Sequence, residues 1–202
     1  MRNKQHGTVY HYCYSSHIRE ILTSGVLLPP RLTPHYATRR NSAIREFGEH
    51  ITQDKGYRAD GKLLLFSQRT DWEPASYKGI LTNGKVIDLF KLEDYAEFAT
   101  DVYRIGVSRA LLHPWVRLKS MSGMPTDMGR ALEDIARNIG SNPYDWWGTM
   151  LPATQDKWRS VEAYNPTTKI WEPLAEIPRT KTDSGFLTDN GEAVVCTERV
   201  RR

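Results

Sequence analysis

The sequence predicts an α+β fold on three observations. Short β-rich runs recur along the chain, roughly six to eight of them. About two or three segments carry a helical period, and they do not alternate with strands as a parallel sheet requires. Turn signals such as Asn83-Gly84 and Asn165-Pro166 separate apolar runs, as in antiparallel hairpins.

The elements follow in chain order. Residues 8–13 are β-rich and read as a strand. Ser15 and Ser16 then offer a helix cap, with Glu20 near the capping-box position. Ile18, Ile21, Leu22 and Val26 recur at helical spacing, Gly25 suits the helix end, and Pro29-Pro30 bars continuation. Residues 31–60 are polar and arginine-bearing, with either a helix around 41–53 or a loop. Residues 62–67 form the second strong strand, which Trp72-Glu73-Pro74 cannot extend. Further strands are predicted at 86–89, 102–107 and 116–119. Residues 127–139 form the clearest helix, with Met128, Leu132, Ile135 and Ile139 on one face and Gly140 as its stop. An aromatic loop or short helix at 141–157 precedes a strand at 158–164, a hairpin into 169–171, and a final strand at 193–197.

The bulk properties set limits. At 202 residues the chain is expected to be a single domain over 1–202, long enough for a real core. No apolar run approaches membrane-spanning length, and the first seven residues lack the apolar core of a signal peptide, so a cytoplasmic protein with no membrane partner is expected. Cys13 and Cys196 have no metal or disulfide spacing, and the six histidines show no ligand pair on a helix; no metal is expected. The net charge of +4 mildly favours a polyanionic partner such as DNA, RNA or a dinucleotide.

Two segments carry the functional reading. The first, Val9-Tyr10-His11-Tyr12-Cys13-Tyr14, is a strand running straight into a helix, where backbone amides are free. Alternation puts His11 and Cys13 on one side and the tyrosines on the other. The second is Leu65-Phe66-Ser67 followed by Trp72-Glu73-Pro74 and Tyr77. Taken singly, His11 reads as a hydrogen-bonded structural residue, and Phe66 and Trp72 as core.

Taken together, Tyr10-His11, the helix ending Ile21-Leu22-x-Ser24-Gly25-Val26-Leu27, and the later Phe66 and Tyr77 resemble the ADP-ribosyltransferase-like superfamily. The pattern looks like the opening of its diphtheria-toxin and PARP-like members, and it is also similar to DarT-like DNA ADP-ribosyltransferases and RNA 2′-phosphotransferases. The resemblance implies split antiparallel β-sheets with a few flanking helices, and NAD as substrate. It implies that His11 contacts the NAD ribose, with Tyr12 and Cys13 beside a backbone clamp for the nicotinamide amide. Tyr12-Cys13 stands where the family usually has Gly-Thr. It implies that Phe66 and Tyr77 sandwich the nicotinamide, with Ser67 on the same strand and Trp72 as another stacking ring.

The family supplies a carboxylate from a late strand. Glu162 is the best placed, with Glu73, Glu172 and Glu198 as rivals. A carboxylate there stabilises an oxocarbenium-like transition state and activates the acceptor; the plain alternative for Glu162 is a cross-strand ion pair. Residues 150–157 would select the acceptor, Trp146 and Trp147 would stack on a base, and Arg31, Arg39 or Arg40 would hold pyrophosphate.

The expected function is therefore an NAD-dependent ADP-ribosyltransferase, a glycosyltransferase of defence or toxin type in a phage or bacterium. Its acceptor would be a nucleic acid or a protein. The alternatives are a nucleic-acid-binding or glycosylase-like protein that works without NAD, and a binding module on a degenerate transferase fold.

Overall fold

A computed structural model of the chain describes residues 7–29, 63–82 and 85–174. The fold is α+β, with one seven-stranded antiparallel sheet and two small two-stranded sheets. The expected helix at 41–53, the strand at 193–197, Cys196, Glu198 and the arginines at 31, 39 and 40 lie outside the described residues.

The chain enters on β1 (Thr8–Tyr14) and turns directly into α1 (Ser15–Ser24). Tyr14, rather than a serine, is the helix cap residue, and its side chain makes no cap hydrogen bond. Gly25 does end the helix: it takes φ +66° and its N–H donates to the Ile21 carbonyl at 2.9 Å. Val26 belongs to β2 (Val26–Leu27) rather than to the helical face.

β3 (Leu64–Ser67) is followed by a 3₁₀ turn at Pro74–Ser76, which starts at the proline as its fixed φ favours. A hairpin of β4 (Lys78–Thr82) and β5 (Lys85–Leu89) flanks the expected Asn83-Gly84 turn. Then come α2 (Leu92–Glu97) and β6 (Val102–Ser108).

Residues 116–119 are not a strand. They lie in α3 (Trp115–Met121), reached through the short β7 (His113–Pro114). Trp115 and Leu118 are buried three residues apart while Val116 is 60% exposed, the one-sided burial of a helix rather than the alternation of a strand. α4 (Thr126–Asn138) ends before Gly140, which takes φ +86°.

The aromatic segment after it is mostly strand: β8 (Trp146–Thr149), then β9 (Ala153–Thr154), which pairs with β2. β10 (Trp158–Asn165) and β11 (Ile170–Pro173) close the described chain as the expected hairpin.

The large sheet runs β11-β10-β6-β1-β3-β8-β7. One face packs under α1, β2 and β9 around Val9, Cys13, Phe66, Ile105 and Val107; we call it the helix face. The opposite face carries two separate clusters. One packs Trp115, Leu118, Met128 and Trp146 from α3, α4 and β8. The other packs Tyr12, Tyr14, Trp72, Tyr95 and Val102. Residues 69–71 cross this second face, which we call the strap face.

Gly148 is where α3 meets the sheet. A Cβ there would stand 2.7 Å from the Leu64 carbonyl oxygen and 2.7 Å from Leu118 Cδ2. Backbone cannot step aside as a side chain can, so Gly148→Ala is expected to cost about 1–3 kcal/mol in urea unfolding. An unchanged midpoint would contradict this packing of α3 on β8.

Candidate functional site

β1 lies at the centre of the sheet, and the expected site segments fall on its two sides. It pairs with β6 over seven register positions, from Thr8↔Ser108 to Tyr14↔Val102. With β3 it pairs at a single position, Tyr10↔Ser67. Beyond that position the two strands part, and the His11 ring bridges the gap: Nδ1 donates to the Leu65 carbonyl at 2.8 Å. The ring also tilts against Phe66, with centroids 5.7 Å apart. Burial disfavours the imidazolium and holds the His11 pKa below 6.5, partly opposed by the bond to Leu65. On the same face burial pushes the Cys13 thiol up to about 12, an inert core thiol.

Register decides which candidates share a face. His11 stands opposite Ile105, and Ile105 opposite Val161. One step along, Tyr12 stands opposite Arg104, and Arg104 opposite Glu162. Paired residues project to the same side. His11, Cys13 and Phe66 therefore face the helix side, and Tyr12 and Glu162 the strap side. Glu172 pairs with Ala163 and returns to the helix face. It lies three strand spacings from β1, roughly 14 Å, and accepts from Asn165 Nδ2 and Thr168 Oγ1.

The strap face is organised around Arg104, which sequence reasoning did not single out. Its guanidinium lies between the rings of Tyr10 (4.2 Å) and Trp171 (4.4 Å). It donates to the Glu162 carboxylate and to the Thr70 carbonyl. Arg104 is 7% exposed and the Glu162 side chain 16%. The cross-strand ion pair anticipated for Glu162 thus exists, but it is buried rather than solvated. Tyr12 Oη donates to the Arg69 carbonyl at 3.0 Å and Trp171 Nε1 to the Asp71 carbonyl at 2.9 Å. Side chains from β1, β6 and β11 thereby hold three consecutive carbonyls of the segment after β3.

Glu73 anchors the far end of that segment. It is 3% exposed and accepts from Ser67 Oγ at 2.7 Å, from the Ala75 amide at 3.1 Å and from Ser141 Oγ. Trp72 is core: its ring meets Tyr12 edge-on at 5.1 Å and its Nε1 donates to the Phe90 carbonyl. Tyr77 packs on Phe90 at 4.6 Å, while Phe66 packs on His11. Between Phe66 and Tyr77 the chain runs through the buried Glu73 and the Pro74 turn.

Trp146 is buried edge-on against Trp115, and Trp147 lies beneath the Arg109 guanidinium at 5.0 Å. Neither is presented as an open stacking surface. The neighbouring Tyr144 is 74% exposed. Among the described residues no group of three or more His, Cys, Asp or Glu is placed to hold a metal ion, and no helix is long and apolar enough to cross a membrane.

No family model, curated protein or solved structure matches the chain.

Two measurements check this site. Removing one partner of a buried pair strands the other charge, so Glu162→Ala is expected to lose about 3–5 kcal/mol. The double variant Arg104→Met with Glu162→Leu should recover most of it in urea unfolding. Equal losses in single and double variants would contradict the pairing. His11 has a lowered folded pKa, so as pH falls the unfolded chain takes up its proton first. Its stability contribution is complete above the ordinary value of 6.5 and is lost as pH drops through it. His11→Gln, which can still donate to the Leu65 carbonyl, should flatten the fall in stability between about pH 7 and 5.5. A variant with the full wild-type slope would place that titration elsewhere.

Proposed function

We propose that the protein is an NAD-dependent ADP-ribosyltransferase that passes ADP-ribose to a macromolecular acceptor, nucleic acid or protein. The observation that carries this is the parting of β1 from β3 immediately after Tyr10↔Ser67, with His11 at the fork. In the fork the β3 side of Tyr12 and Cys13 has no register partner in β3. Ladder amides and carbonyls there match the donor and acceptor of a carboxamide, which is what a nicotinamide clamp requires. The segment expected to supply the carboxylate, β10, lies in the same sheet one strand beyond β6.

In the reaction the bond from ribose C1′ to the nicotinamide nitrogen breaks, and its electron pair leaves with nicotinamide. The acceptor's lone pair forms the new bond to C1′, and the acceptor's proton passes to a carboxylate. In this reading His11 meets the ligand from the helix face and a carboxylate from the strap face, where Glu162 stands two strands from β1. Glu162 is the carboxylate assigned to the developing positive charge, oriented by Arg104. Glu73, held by two hydroxyls and an amide, is the rival for that role.

The test uses NAD labelled in its adenosine half, with DNA, RNA and protein acceptors offered separately. Expected are nicotinamide release, label on one acceptor class, and a rise in melting temperature with NAD alone. Glu162→Gln should lower transfer by about 100-fold or more while keeping the NAD-induced melting shift. If Glu73→Gln does this instead, the carboxylate role moves to Glu73. No release with any acceptor, together with no melting shift, would overturn the proposal.

A further inference from the structure

The β4–β5 hairpin has two unlike faces. Register sets Ile80 opposite Ile87 and Lys78 opposite Leu89, and Ile80 and Leu89 lean on the cluster that holds Tyr14 and Tyr95. Alternation sends Gly79, Val86 and Asp88 to the other, outer side. Tyr77 enters β4 in extended backbone and Phe90 follows β5, so both fall on that outer side, where their rings meet at 4.6 Å with a tilt of 40°. Val86 is 55% exposed and Phe90 37%, so apolar surface faces outward on both sides of Asp88.

Asp88 is itself exposed, and the residue opposite it is Gly79, which has no side chain to cover the carboxylate. Among the described residues no cation pairs with Asp88. The carboxylate is close to the rings: burial, and then the Asp88 charge, hold the Tyr77 phenol above its ordinary pKa of 10.0. The same set of groups occurs on the strap face with its cation in place. There Tyr10, Trp171 and Glu162 supply two aromatic faces and one carboxylate to the Arg104 guanidinium. Tyr77, Phe90 and Asp88 repeat that set on the outer face of the hairpin, and among the described residues no guanidinium fills it.

We propose that the outer face of the β4–β5 hairpin is a docking site for an arginine side chain of a partner protein. Asp88 accepts the guanidinium fork through two N–H donors, and the Tyr77 and Phe90 rings take its flat side. Arginine suits the set better than lysine, whose ammonium is a point charge that neither forks nor stacks. The arginine belongs to a polypeptide because the exposed apolar surface runs on past the carboxylate. Val86 and Phe90 stand four residues apart along one strand, roughly 13 Å, which is further than a lone guanidinium covers. The site does not depend on transfer of ADP-ribose.

The test is titration of the isotope-labelled intact chain, followed by amide NMR, with a short capped peptide carrying one arginine among alanines. The same peptide with lysine or citrulline in place of the arginine, and free arginine amide, serve as comparisons. Expected are saturating shifts confined to the hairpin, Tyr77 and Phe90, binding about threefold or more weaker with lysine, and no binding with the uncharged citrulline. Asp88→Asn should weaken binding of the arginine peptide by about tenfold or more. Asp88 is exposed, so the melting temperature of that variant should stay close to wild type. Lys85→Ala, on the other face of the hairpin, should leave binding unchanged. Free arginine amide bound as tightly as the peptide would overturn the polypeptide partner. A dimer of the chain that Asp88→Asn abolishes would overturn it in favour of a second copy. Absent shifts, shifts elsewhere on the molecule, or equal affinities for wild type and Asp88→Asn would overturn the site.

Discussion

A single buried guanidinium holds the strap face together. Arg104 sits inside β6, next to the central strand, in the otherwise uncharged run Val102–Ser108, where an unpaired charge would be prohibitively costly. Three kinds of contact offset that cost: the Glu162 carboxylate, the Thr70 carbonyl, and two aromatic faces from Tyr10 and Trp171. Desolvated cation–π contacts are worth about 2 kcal/mol. Each partner comes from a different part of the chain. Satisfying Arg104 therefore fixes the order of β1, β6, β10 and β11 and the path of residues 69–71 at the same time.

That constraint separates two roles that sequence spacing alone would merge. Odd positions of β1 feed the helix-face core, and even positions hold the strap. His11 belongs to the first set, but its ring turns to the Leu65 carbonyl at the point where β1 leaves β3. The strap is a separate departure at the other end of β3: the chain after Ser67 is drawn across Tyr12, Arg104 and Trp171 instead of pairing with Val9 and Thr8. A sheet that opens at its central strand leaves Tyr12 and Cys13 without a register partner in β3. That is the physical basis for placing a ligand there.

Much of the fold was legible in the sequence. β1, α1 with its glycine end, β3, α4 and the β10–β11 hairpin follow from period, turn residues and helix stops. Residues 116–119 misled because a short apolar run fits either period; burial of Trp115 and Leu118 under α4 decided for helix. The candidate site was only half legible. His11 and Glu162 were both named, but their placement on opposite faces depends on the register of β1, β6 and β10, which no local pattern records. Arg104 was overlooked although it left a trace: one charge inside an apolar strand needs a partner, and Glu162 was already named without one.

The central claim is that the fork between β1 and β3 is a nicotinamide site. A crystal structure of the chain soaked with NAD tests it most directly. Density for the nicotinamide in the fork, with its carboxamide on the backbone of Tyr12 and Cys13 and its ribose beside His11, is the predicted result. Saturating NAD with an empty fork, or NAD bound elsewhere on the molecule, would contradict it.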